Sequence, residues 1–251
     1  MRALSVAVVL VGPVWGQVSA PAKPAAPVSA PLTPEQQIEG MQKKLADWAQ
    51  LGRYREANAA LPAPVAGERR VVFYGDSITE AWVRSEGVFF PGKSYVGRGI
   101  SGQTTPQMLV RFQQDVVHLK PTVVVILAGT NDIAGNTGPS TPEMIEDNFE
   151  SMVAIARANG IKVVISSILP ASTYKWRPEV QPAEQIRAMN VRLKALCARE
   201  GLVYLDYYSP MANAKGGLDP ELAADGVHPT AKGYAVMGPL AEKAIAEALA
   251  R

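Results

Sequence analysis

The chain carries one cysteine among 251 residues, so it cannot close an intramolecular disulfide. Two histidines beside that cysteine are too few to assemble a Cys/His zinc centre, and metal-assisted hydrolysis is not expected. An excess of charge of one sign is also missing. The net charge of +2 leaves no broad field to attract nucleic acid or an anionic membrane surface. The apolar stretch from Ala3 to Trp15 is shorter than the ~20 residues that span a bilayer, so stable membrane insertion is not expected. No internal repeat is visible. What remains, 47% hydrophobic and 19% charged residues, suits one well-buried globular domain.

Arg2, the uncharged stretch after it, and small residues at Gly16, Ser19 and Ala20 read as an export signal over residues 1–20, with an uncleaved anchor as the alternative. A secreted or periplasmic protein is therefore expected. With no cysteine near the cleavage point, a cysteine-linked lipid anchor is not. The Pro- and Ala-rich stretch 21–33 reads as a flexible or polyproline-type linker. Thr33-Pro34-Glu35 is a helix start. Ile38, Met41, Leu45 and Trp48 then recur at helical spacing, which predicts an amphipathic helix from Pro34 to about Gln50. It belongs to an N-terminal helical extension, residues 34–66, ahead of the main domain, residues 67–251.

In that domain short β-branched runs alternate with helical stretches. Strands are expected at Val71–Tyr74, Thr122–Leu127, Lys162–Ser166 and Leu202–Asp206, with a weaker one at Tyr95–Val96. Helices are expected at Met108–His118, Glu143–Asn159, Ala183–Arg199 and Ala231–Ala250. Near-continuous apolar strands such as Val123–Leu127 suit a parallel sheet covered on both faces. The order predicts a three-layer α/β/α sandwich on a mostly parallel five-stranded sheet. Such sheets bind ligands beyond the carboxyl ends of their strands.

Candidate functional residues stand at those ends. Gly75-Asp76-Ser77 follows the first strand and leads into a helical stretch. A serine there presents its hydroxyl at the sheet edge and its N–H at a helix start, where negative charge is stabilised. The same residues would also serve as a helix cap, and the sequence leaves both readings open. Gly99 to Thr105 follows the second strand, and its glycines allow close approach to a ligand or a plain turn. Gly129-Thr130-Asn131-Asp132 follows the third, where an asparagine amide can serve an oxyanion or a turn. Asp225-Gly226-Val227-His228 precedes the last helix, and an acid three residues ahead of a histidine can orient its imidazole as a base. His118, beside Lys120-Pro121, reads as structural.

Gly75-Asp76-Ser77, Gly102, Gly129-x-Asn131-Asp132 and Asp225-x-x-His228 resemble, in order, the four blocks of the GDSL/SGNH hydrolase family. The resemblance runs from about Arg70 to Ala250. It implies a flavodoxin-like SGNH hydrolase fold and a serine esterase with no cofactor and no metal. Ser77 would be the nucleophile, His228 the general base and acid, and Asp225 its orienting partner. The Ser77 and Gly102 backbone N–H groups and the Asn131 amide would form the oxyanion hole. The chain is most similar to small exported acetylhydrolase-type members, including the platelet-activating-factor acetylhydrolase and carbohydrate acetylesterase branches. A small short-chain ester or an acetylated glycan is the expected substrate. A lysophospholipase, thioesterase or arylesterase on the same machinery is the alternative, and a non-catalytic carbohydrate-binding module is a further one. Oligomeric state is left open.

Other patterns point elsewhere by letter. No G-x-S-x-G elbow is present, which disfavours an α/β-hydrolase. Gly87-x-x-x-x-Gly92-Lys93-Ser94 matches a P-loop, but it follows a helical stretch and does not open one. Gly97-x-Gly99-x-x-Gly102 matches a dinucleotide fingerprint, but the next strand ends in Ala128-Gly129 and not in an acid for a ribose. Trp82, Phe89, Phe90, Tyr174 and Trp176 could line a site beyond the strand ends or cover the core.

Overall fold

Runs of valine and isoleucine form the sheet of the computed structural model, which describes residues 32–84, 89–223 and 225–251. Its strands are β1 (Val71–Gly75), β2 (Tyr95–Gly99), β3 (Val123–Leu127), β4 (Lys162–Ser166) and β5 (Val203–Leu205). All pairings are parallel, in the order β2-β1-β3-β4-β5. Alternate side chains of each strand feed opposite cores. Val72, Tyr74, Val124, Ile126, Val163 and Ile165 meet helices α4 (Thr105–Asp115), α6 (Pro142–Ala158) and α7 (Pro182–Arg199) on one face. Val71, Phe73, Val123, Val125 and Val164 meet α3 (Ser77–Arg84) and α9 (Ala231–Ala250) on the other. This is the expected three-layer sandwich. The strand order reverses direction between β1 and β3, the edge where doubly wound sheets place their sites.

The helices differ from expectation at their ends. The first, α1 (Pro34–Ala46), stops short of Gln50 because the Asp47 carboxylate takes the N–H groups of Leu51 and Gly52 at 2.7 and 2.9 Å and turns the chain. A short helix α2 (Arg55–Ala60) follows. Helix α4 begins at Thr105 and not at Met108, since Thr104 and Gln107 close a capping box around Pro106. It ends at Asp115, and a 3-10 turn at Val117–Leu119 carries the exposed His118 at the far end of the sheet from Ser77. Trp82, Phe89 and Phe90 pack with Phe73, Tyr95 and Tyr234 and belong to the core, with the Trp82 and Tyr234 rings stacked at 5.1 Å. Two further short helices, α5 (Thr130–Ile133) and α8 (Tyr208–Met211), follow β3 and β5.

The chain divides into two units, residues 1–41 and 42–251. The expected export signal, and the linker apart from residues 32 and 33, lie outside the described residues. No described helix is long and apolar enough to cross a membrane.

A buried cation lies under the carboxyl edge of β1 and β2. Arg111 of α4 is fully buried over the Tyr74 ring. It donates to the carbonyls of Gly75 and Arg98 at 2.9 Å, to Gln103 Oε1 at 2.5 Å and to Asp115 Oδ2 at 3.0 Å. Asn58 Nδ2 donates to the other Asp115 oxygen at 2.7 Å, and Asn58 Oδ1 accepts from Arg98 Nε at 2.7 Å. Replacing Arg111 alone strands a buried carboxylate and unpaired carbonyls, a loss of about 3–5 kcal/mol. Arg111→Met should lower the unfolding free energy from urea titration by that amount, with a matching fall in the midpoint, and Arg111→Met/Asp115→Leu should recover part of it. Equal midpoints in wild type and Arg111→Met would show that the buried charge is not a structural tie.

Candidate active site

Ser77 opens helix α3 directly after β1, so its N–H belongs to the unpaired first turn of a helix. It is half-buried, and its N–H has no acceptor among the described residues. Its Oγ lies 2.9 Å from Nε2 of His228. On the far side of the imidazole, Nδ1 lies 2.6 Å from Oδ2 of Asp225. A carboxylate only accepts, so the proton sits on Nδ1 and Nε2 is left to accept from the serine hydroxyl. The other Asp225 oxygen accepts from the backbone N–H of Val227 at 2.9 Å and of His228 at 2.7 Å. Partial burial opposes ionisation of Asp225, but the hydrogen bonds from the His228 backbone and ring and from Val227 outweigh it and hold the carboxyl at about 2.

Gly102 turns with φ +78°, a conformation that costs any side-chain-bearing residue, and its N–H has no acceptor among the described residues. Its carbonyl accepts from Asn136 Nδ2 at 3.1 Å, and the same nitrogen donates to Asn131 Oδ1 at 2.9 Å. Asn131 is buried at the start of α5, and its Nδ2 donates to the Gln103 carbonyl at 2.9 Å. The second hydrogen on that nitrogen faces Asp76 Oδ2 at a loose 3.4 Å. The structure thus brings Ser77, Asp225 and His228 together at one strand edge, with Gly102 and Asn131 joined through Asn136 in the neighbouring loops. His118 is not among them.

Glu80, Gln103, Arg111 and Asn136 also shape this edge, and none was singled out by sequence reasoning. Glu80 Oε2 accepts the Ser101 N–H at 2.9 Å, while its Oε1 accepts from Arg53 and Arg84 at 2.7 Å each. The available signals were a glutamate inside an apolar helical stretch and the i,i+4 spacing of Arg111 and Asp115. Asn136 sits in a Gly-Asn-Thr-Gly turn whose letters read as an ordinary loop.

The glycines of the dinucleotide-like pattern have a packing reason. A Cβ at Gly97 would meet Val83 at 2.0 Å, and one at Gly99 would meet the Glu80 nitrogen at 2.3 Å, so both admit helix α3 against β2. Gly92-Lys93-Ser94 leads into strand β2 instead of a helix, and Lys93 pairs with Glu242 at 3.2 Å.

A doubly wound 2-1-3-4-5 sheet with these four loops at its carboxyl edge is the framework of the GDSL/SGNH hydrolase fold. The chain belongs to the GDSL-like lipase/acylhydrolase family, whose model matches residues 73–236. It is similar to a GDSL-like lipase from Bacteroides thetaiotaomicron, with 45% identity and a TM-score of 0.78, over 80% of this chain and 99% of that one. A structure from Bacteroides fragilis, assigned as an acylhydrolase, is 47% identical with a TM-score of 0.78, over 80% and 98% of the two chains. Esterase TesA of Pseudomonas aeruginosa is 31% identical over 134 residues, which are 53% of this chain and 60% of that protein.

Asp76 is fully buried, and that burial, opposed by the Ile78 N–H and the field of His228, pushes its carboxyl up to about 7. Asp132, with the Thr105 N–H and hydroxyl on it, is raised by burial too. An unfolded aspartate loses its proton near 3.9. Between about pH 4 and 7 the folded state therefore holds the extra proton, and Asp76 makes stability fall as pH rises through that window and level off above it. Asp76→Asn should flatten the dependence of the urea midpoint on pH between 4 and 7. Parallel slopes in both proteins would mean that Asp76 is ionised throughout.

Proposed function

We propose that the protein is an exported serine esterase that hydrolyses short-chain esters, acetyl esters of carbohydrates in particular. The observation that carries this reading is the 2.9 Å contact of Ser77 Oγ with a histidine whose other nitrogen faces a carboxylate at 2.6 Å. As the Ser77 hydroxyl attacks the ester carbonyl, His228 Nε2 takes its proton, and ionised Asp225 stabilises the imidazolium. The Ser77 and Gly102 N–H groups receive the oxyanion. Asn131 adds the hydrogen that now rests loosely toward Asp76, the cheapest one to redirect. The alcohol leaves with the proton from His228, and water repeats the sequence on the acyl-serine to release the acid and restore Ser77.

The polar surroundings of the oxyanion loop, Ser101, Asn136 and Thr137, suit a hydroxylated alcohol portion better than a fatty chain. Residues 1–20 would export the chain to meet such esters outside the cytoplasm. In this reading residues 67–251 are the catalytic domain.

Hydrolysis of a 4-nitrophenyl ester series should be fastest for acetate, decline with acyl length, and fall by several orders of magnitude in Ser77→Ala. Preference for long chains would move the substrate to lipids or thioesters, and retained activity in Ser77→Ala would remove the triad. Asn131→Ala should lose about a hundredfold in kcat with its circular dichroism unchanged. An unaltered rate would leave Asn131 as a turn residue.

A further inference from the structure

A pocket of about 450 Å³ opens beside the oxyanion loop, lined by Trp48, Gln50, Ser101, Gly102, Asn136 and Thr137 among others. Two of these come from the segment after α1, which precedes the first strand of the domain. That segment is fixed with unusual care. The carbonyls of Trp48, Ala49 and Leu51 each accept from a glutamine side chain, Gln107, Gln103 and Gln114, at 2.6, 2.9 and 2.7 Å. Gln103 and Gln107 are buried, and Gln103 also receives Arg111. The turn holds Gln50 at φ +55°, a left-handed conformation that a residue other than glycine adopts at a cost.

The fixed turn presents a large apolar ring to solvent. Trp48 is 42% exposed, and its indole N–H has no acceptor among the described residues. The side chains of Gln50 and Ser101 likewise have no hydrogen-bond partner among the described residues. Across the pocket, Asn136 accepts from the indole N–H of Trp176 at 3.1 Å, and that ring stacks on Tyr174 at 4.8 Å while remaining 42% exposed. Exposed aromatic rings beside free amide and hydroxyl groups match a ligand with one apolar C–H face and a rim of hydroxyls. A fatty chain in the same place would desolvate those polar groups and return no hydrogen bonds.

We propose that this pocket is a subsite for a pyranose ring in the alcohol portion of the substrate, with Trp48 as its stacking platform. The proposal rests on the esterase reading above, in which the Gly102 N–H receives the ester oxygen. An ester seated there has the rest of its sugar within reach of Trp48, because Gly102 belongs to both places.

The test compares two substrates, 4-nitrophenyl acetate and an O-acetylated β-1,4-xylotriose. Trp48→Ala should lower kcat/KM for the trisaccharide at least tenfold relative to 4-nitrophenyl acetate, mainly through KM, and Trp48→Tyr should restore most of that ratio. In the Ser77→Ala background, calorimetric affinity for the same trisaccharide should weaken about tenfold on adding Trp48→Ala. An unchanged ratio, or an equal loss on both substrates that Trp48→Tyr does not restore, overturns the subsite. So does a wild type that cleaves 4-nitrophenyl acetate with Ser77 dependence but leaves the trisaccharide intact, an outcome in which the esterase reading stands. Absence of Ser77-dependent hydrolysis of either ester overturns that reading, and the subsite with it.

Discussion

One buried guanidinium holds together the loops that matter. Arg111 rises from α4 into the space beneath the β1 and β2 strand ends and gives its hydrogens to Gly75, Arg98, Gln103 and Asp115. Gly75 is the residue before Asp76-Ser77, so the turn that carries Ser77 begins on a carbonyl that the cation fixes. Gln103 follows Gly102, and its own carbonyl receives Asn131, so the second and third loops are tied to the same point. A charge with no solvent around it tolerates few alternative arrangements, because each lost partner exposes a desolvation cost. The rigidity of the edge follows from that intolerance.

The polar edge is wired outward as well as inward. Asp115, the counter-ion of Arg111, also receives Asn58, and three glutamines reach from α4 and the loop before it to the backbone of residues 48–51. Glu80 binds Arg53 on one oxygen and the Ser101 N–H on the other. The Tyr54 hydroxyl donates to the Gly99 carbonyl. Residues 47–58 are thus bonded to the Gly99–Gln103 loop from several directions, and the conformation of Gly102 depends in part on a segment that precedes the sheet.

The sheet and the loops at its carboxyl edge were legible in the sequence because they obey local rules. Val123–Leu127 is apolar throughout since both faces are covered, and Asp225-x-x-His228 lies close enough in sequence for one short loop to bring the carboxylate to the imidazole. Ser77 and His228 could be paired only through resemblance, since 151 residues separate them. What escaped was everything whose partner is distant and whose residue type is common. Glutamines at 103, 107 and 114 carry no mark in the sequence, and only the fold reveals that they end on backbone carbonyls of residues 48–51. The helix expected to reach Gln50 failed for a comparable reason. Trp48 continues the apolar period, but the Asp47 side chain captures two N–H groups and ends the helix there, a competition that periodicity does not register.

The glycine patterns show the same division between letters and physics. Gly97, Gly99 and Gly102 match a phosphate-binding fingerprint, yet each has a different cause. Gly97 and Gly99 exist because α3 lies directly on β2, where Val83 and the Glu80 backbone occupy the space a Cβ would need. Gly102 exists because the chain must turn at positive φ while its carbonyl faces Asn136. That turn leaves its N–H without an acceptor among the described residues, and the start of α3 leaves the Ser77 N–H in the same state. Two unpaired donors at one sheet edge are costly in a folded protein unless water or a ligand takes them. In the esterase reading proposed above, developing negative charge on an ester oxygen is such a ligand, and the bonds that fix both loops keep the donors from turning to other acceptors before it arrives.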